Sequence, residues 1–168
     1  MFKVGDNIIH GGSGACRVEN IGTLNTGVKG RKYYTLLPYY VKGSSVYTPV
    51  DSDKVLMRPV MTKEEIMDLI NDIKNIDTLW VKDEKKREEA YKEAIRSCDA
   101  RELVKIIKTI YLRKKERIAE GKKMTYSDEK YYRIAEDNLY GEVAVVLSMT
   151  KEEAKEFVER KVEEVEEE

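Results

Sequence analysis

Trp80, the only tryptophan in 168 residues, is followed within two helical turns by Lys82, Lys85, Lys86 and Arg87. Basic side chains grip phosphates without reading sequence, and an exposed aromatic can lie against an opened base step. The same ring could instead staple the start of a helix to a hydrophobic core, with Asp77 or Thr78 capping a helix that begins between Leu79 and Lys82. On the residues alone both roles stand. Interleaved Asp83, Glu84, Glu88 and Glu89 dilute the local charge. A second basic run, "RKKER" at 113–117, precedes Lys122 and Lys123 in a polar connection.

Other reactive residue types lack the company that chemistry requires. The sole histidine, His10, has no cysteine or carboxylate at zinc-ligand spacing. "GGSGA" at 11–15 lacks the lysine and following helix of a phosphate-cradling loop and predicts a tight turn. Many carboxylates lie three or four residues from lysines, the pattern of a solvated helix face. No nucleophile has a base beside it, so the expectation is a non-enzymatic protein without metal or cofactor. Cys16 and Cys98 fall in different predicted segments and imply no disulfide framework. The opening "MFKVGDNIIH" lacks the apolar run of a signal peptide, and no stretch reaches the roughly 18–20 apolar residues of a membrane span. These features predict a cytoplasmic protein with no membrane partner.

The elements that carry these residues divide at Pro59. Most of the ten glycines precede it, among short β-type runs at 7–10, 15–21, 32–40, 46–50 and 54–60. In the second run Cys16, Val18 and Asn20 alternate with Ala15, Arg17 and Glu19. Five short strands with frequent turns predict a small, strongly bent β-barrel over residues 1–60. From 61 to 168 the pattern becomes helical. Capping boxes "TKEE" at 62–65, "DARE" at 99–102 and "TKEE" at 150–153, with apolar residues at 3.6 spacing, predict helices over 62–74, 82–97, 100–119, 127–147 and 150–165. The fold class is therefore α+β, a barrel followed by an all-α domain. Net charge follows the same division: residues 1–60 hold eight basic against four acidic side chains, and residues 151–168 four against nine. Between 80 and 133 there are 17 basic against 11 acidic residues, a basic centre suited to a polyanion.

The block "FKVGDNIIHGGSGACRVENI", with "VYTPVD" and "VLMRPV" further on, resembles the N-terminal module of the CarD/CdnL family of bacterial transcription regulators. That module is also similar to the polymerase-binding module of the transcription-repair coupling translocase. The Trp80 region, "IYLRKKER" and "SDEKYYRIAEDNLYGEVA" resemble the family's helical domain. The resemblance implies a Tudor-like (SH3-like) barrel that binds the RNA polymerase β subunit, and a helical domain that contacts promoter DNA at the upstream edge of the melted bubble. Trp80 matches the family's minor-groove wedge, and Lys82, Lys85 and Lys130 match basic positions near the DNA backbone. Local charge adds Lys86, Arg87, Lys122 and Lys123. Leu24 and Tyr47 stand where some members carry polymerase-facing arginines, and Lys29, Arg31 and Lys32 offer compensating charge. The implied factor is a monomer, located at the nucleoid through polymerase, that stabilises the open promoter complex. The competing reading is an adaptor that bridges polymerase to another protein. A translocase fragment is disfavoured because no Walker-type motif is present.

Overall fold

β-Branched and aromatic residues between glycine-rich turns form β1 (Asn7–His10), β2 (Gly14–Gly22), β3 (Tyr33–Pro38), β4 (Val46–Pro49) and β5 (Met57–Pro59) in the computed structural model, which describes residues 1–79 and 81–167. Two compact units result, Met1–Val60 and Met61–Glu168.

In the first unit the strands make one antiparallel sheet in the order β4-β3-β2-β1-β5. Ile8, Cys16, Val18, Tyr34 and Leu36, all nearly inaccessible, form its core. The β1–β2 hairpin turns tightly because Gly14 adopts φ +71°, a left-handed conformation that disfavours a side chain. His10 on β1 bonds Thr48 on β4, three strands along, so the sheet curls strongly. It does not close, and this corrects the barrel expectation. Among the described residues no backbone ladder joins β4 to β5. These edge strands have only four and three residues, and each ends in a proline with no N–H to donate. A β-bulge between Val18 and Asn20 makes a second correction. The extra residue reverses the alternation, so Asn20 is exposed and Ile21 packs toward the core.

The second unit comprises α1 (Lys63–Asp72), a 3-10 turn over Ile73–Asn75, α2 (Glu84–Arg96), α3 (Ala100–Ala119), α4 (Tyr126–Leu147) and α5 (Lys151–Glu167). Ile66, Leu69 and Ile70 from α1 meet Leu103, Ile106 and Ile110 from α3, Tyr131, Ala135, Leu139 and Val143 from α4, and Ala154 and Val158 from α5. Reciprocal capping boxes start α1 and α5 at Thr62/Glu65 and Thr150/Glu153. At α3 the short Asp99 side chain instead accepts from Arg101 N–H (2.9 Å), while Glu102 pairs with Lys105 (2.9 Å). The carboxylate of buried Glu142 accepts Met61 N–H (2.8 Å) and secures the start of this unit to α4.

Candidate nucleic-acid interface

The connection from α1 to α2 is held by α3 at several points. The Lys108 ammonium donates to the carbonyls of Ile73 (2.9 Å) and Ile76. Leu79 N–H donates to Thr109 Oγ1 (2.8 Å), and that hydroxyl donates to Lys105 C=O (2.7 Å). On the far side of residue 80, the Arg87 guanidinium donates back to the carbonyls of Val81 (3.2 Å) and Lys82 (3.5 Å). Trp80 itself lies outside the described residues. Both of its neighbours are nevertheless tethered. The cap expected at Asp77 or Thr78 is supplied by Asp83, which accepts Lys86 N–H (3.1 Å). Thr109 takes the Leu79 amide that a cap at Asp77 would use, and α2 begins only at Glu84, after Asp83.

Arg87 is 7% exposed, and its hydrogen bonds commit it to backbone. By contrast Lys82, just before the cap of α2, and Lys85 and Lys86 in its first turn are exposed. Two bonds tie this helix to α4. Tyr91 donates to Asp128 (3.1 Å) and Tyr131 donates to Glu88 (3.2 Å), a pairing that makes the two helices antiparallel. Asp128, 2% exposed, also accepts Arg113 Nε (2.8 Å) and so joins α2, α3 and α4. Burial first, and then the Asp128 charge, raise the Tyr91 phenol far above its ordinary range, which keeps it a donor.

Lys122 and Lys123 project from the loop between α3 and α4. That loop is pinned because Arg117 C=O accepts Lys122 N–H (2.7 Å) and Arg117 Nε donates to Lys123 C=O (2.6 Å). Lys122 faces Glu120 at 3.4 Å. Lys130 is exposed on α4, with its ammonium 5.3 Å from the Tyr131 ring centre. Thus Lys85, Lys86 and Lys130 near helix starts, Lys122 and Lys123 on a pinned loop, and Lys82 just before α2 are solvent-facing, on helices that Tyr91, Asp128 and Arg113 hold in register. Sequence patterning had not singled out Asp128, Tyr126 or Arg133. The available signal was Thr125, an N-cap accepting Asp128 N–H (3.1 Å), which starts α4 at Tyr126 and sets which residues face inward.

In the sheet unit, Lys29, Arg31 and Lys32 line one hollow with Val50 and Asp51. Arg31 Nε contacts Asp51 at 3.1 Å across an exposed surface, a weak pair. Leu24 is half-buried in the β2–β3 connection, and Tyr47 stands 55% exposed on edge strand β4. Neither of these two lines that hollow. His10 is buried: its Nδ1 accepts Gly12 N–H (3.2 Å), so its Nε2–H donates to Thr48 Oγ1 (3.1 Å).

Among the described residues no cluster of three or more His, Cys, Asp or Glu could hold a metal, and no helix is long and apolar enough to cross a membrane. The chain thus joins an open, curled sheet to a helical bundle that displays lysines near secured helix starts. Residues 2–61 match the CarD-like/TRCF RID domain, and residues 66–159 match the CarD C-terminal domain. The chain therefore belongs to the CarD family of non-enzymatic regulators, which is consistent with a transcription-regulatory role. A comparison with curated proteins gave no match.

Proposed function

We propose that this chain binds the RNA polymerase β subunit through residues 1–60 and stabilises the open promoter complex through residues 61–168. In this reading Trp80 wedges into the minor groove at the upstream edge of the bubble. Lys82, Lys85, Lys86, Lys122, Lys123 and Lys130 hold the flanking phosphates without reading sequence. Arg87 contributes indirectly, by holding the carbonyls of Val81 and Lys82. Tyr47 on its edge strand and the hollow of Lys29, Arg31 and Lys32, with Leu24 nearby in sequence, supply the polymerase contact.

The observation that supports this reading most is the tethering of both neighbours of Trp80 beside exposed lysines. A wedge loses less conformational entropy on binding when its mount is already ordered. Docking on polymerase raises the effective concentration of a weak DNA-binding unit, so modest charge suffices.

The test has two arms. The full chain should co-purify with the β subunit, with or without promoter DNA. Trp80→Ala should retain that association and the fold while shortening the open-complex lifetime roughly ten-fold, because one base–aromatic contact contributes about 1–3 kcal/mol. A large fall in melting temperature with an unchanged lifetime would instead make Trp80 a core staple. Co-purification that survives while DNA has no effect on any readout would favour the adaptor.

A further inference from the structure

Tyr126 is 84% exposed, the most accessible of the chain's large aromatic side chains in the described residues. It is not a loose side chain on a loop. Thr125 caps the helix that Tyr126 opens, and the preceding loop is bonded twice to Arg117. Tyr126, Lys130 and Arg133 fall at i, i+4 and i+7 on α4, one stripe of the helix. They line a single shallow hollow with Glu129 and Ile134. Lys122 and Lys123 lie just before it in the chain, both exposed. Glu129 is the opposing charge, 3.5 Å from Arg133 in a pair whose side chains are 73% and 61% exposed. Such a solvated i,i+4 pair is weak, so a phosphate can displace the carboxylate at little cost.

The geometry points to this stripe as a second DNA contact, in which the Tyr126 ring packs on a base or sugar face while Lys130 and Arg133 take the adjoining phosphates. The proposal rests on the DNA-holding role given above to this helical unit, and adds Tyr126 and Arg133 to it. The occupant is chosen by complementarity: an aromatic face flanked by cations suits a strand that alternates ring and phosphate. Arginine is well matched to phosphate because its planar fork donates two parallel hydrogen bonds.

The experiment measures binding of the full chain to a promoter-length duplex with a pre-opened bubble, by fluorescence anisotropy across a salt series. Tyr126→Phe should bind within about two-fold of the natural chain. Tyr126→Ala should weaken binding about five-fold or more with the salt slope unchanged, because no counterion release is lost. Arg133→Gln should weaken binding and reduce the slope by about one. Both side chains are exposed, so thermal unfolding should be unaffected. If Tyr126→Ala does disturb the fold, Arg133→Gln carries the test. If Tyr126→Ala and Arg133→Gln both bind like the natural chain while Lys85→Gln weakens binding, the stripe is overturned and the wider DNA-holding role stands. If the natural chain shows no binding at low salt, that wider role fails and the stripe with it.

Discussion

Thr109→Val tests how the segment before Trp80 is held. The substitution keeps side-chain volume and replaces the hydroxyl by a methyl. Thr109 is 3% exposed, and its oxygen accepts Leu79 N–H at 2.8 Å while donating to Lys105 C=O at 2.7 Å. The Lys105 carbonyl loses only an additional donor. The Leu79 amide loses its acceptor, and a buried N–H left unpaired costs about 1–3 kcal/mol. Released into water it recovers part of that, so the segment opens in preference to remaining unpaired. The Leu79 amide should then exchange with deuterium roughly 5- to 150-fold faster, which is the same energy range expressed as an opening equilibrium. Any loss that reaches global stability lowers the melting temperature by roughly 4–8 °C for each kcal/mol. Thr109→Ser keeps the acceptor and should protect Leu79 as the natural residue does, at the cost of about one buried methyl. In the proposed function, Thr109→Val should also shorten the open-complex lifetime, and Thr109→Ser should do so much less. Unchanged Leu79 exchange in Thr109→Val, or equal exchange in the Val and Ser variants, would refute the anchoring argument.

Burial lowers the His10 pKa below its ordinary 6.5, and Nδ1 must stay unprotonated to accept Gly12 N–H. The unfolded chain therefore takes up the proton first, so stability of the sheet unit is full above about pH 6.5 and declines as pH falls through the lower folded value. Urea midpoints across pH 4–8 should show that decline, and His10→Gln should flatten it. Asp128→Ala removes the shared partner of Tyr91 and Arg113 and should cost about 3–5 kcal/mol in denaturant unfolding, toward the low end because Arg113 remains partly hydrated. Exposed Glu129→Ala should stay within about 0.5 kcal/mol. DNA binding by the full chain should weaken steeply with salt, with a logarithmic slope no steeper than about −6 if Lys82, Lys85, Lys86, Lys122, Lys123, Lys130 and Arg133 each displace one counterion. Affinity independent of salt would rule out phosphate contact by these lysines.

The helices were legible because local rules govern them. Ile66, Leu69 and Ile70 recur at helical spacing, and Thr62 with Glu65 satisfies backbone donors within one turn, so residues close in sequence determine the outcome. Sheet closure was not legible, because it depends on whether two edges distant in sequence meet. The curl that brings His10 to Thr48 still leaves β4 and β5 unladdered. The bulge beyond Val18 was hidden for a related reason: strand alternation predicts faces only while the register with β3 holds. The candidate interface divides the same way. Its lysines could be read directly, since charge with carboxylates interleaved predicts a solvated face. Arg87 looked like one more of them, and only packing revealed that it is buried on the carbonyls of Val81 and Lys82. The cap at Asp83, the Leu79–Thr109 bond and the joining of three helices by Asp128 were likewise decided by tertiary structure. Each depends on which of several competing partners lies within about 3 Å, and chain proximity alone cannot rank them.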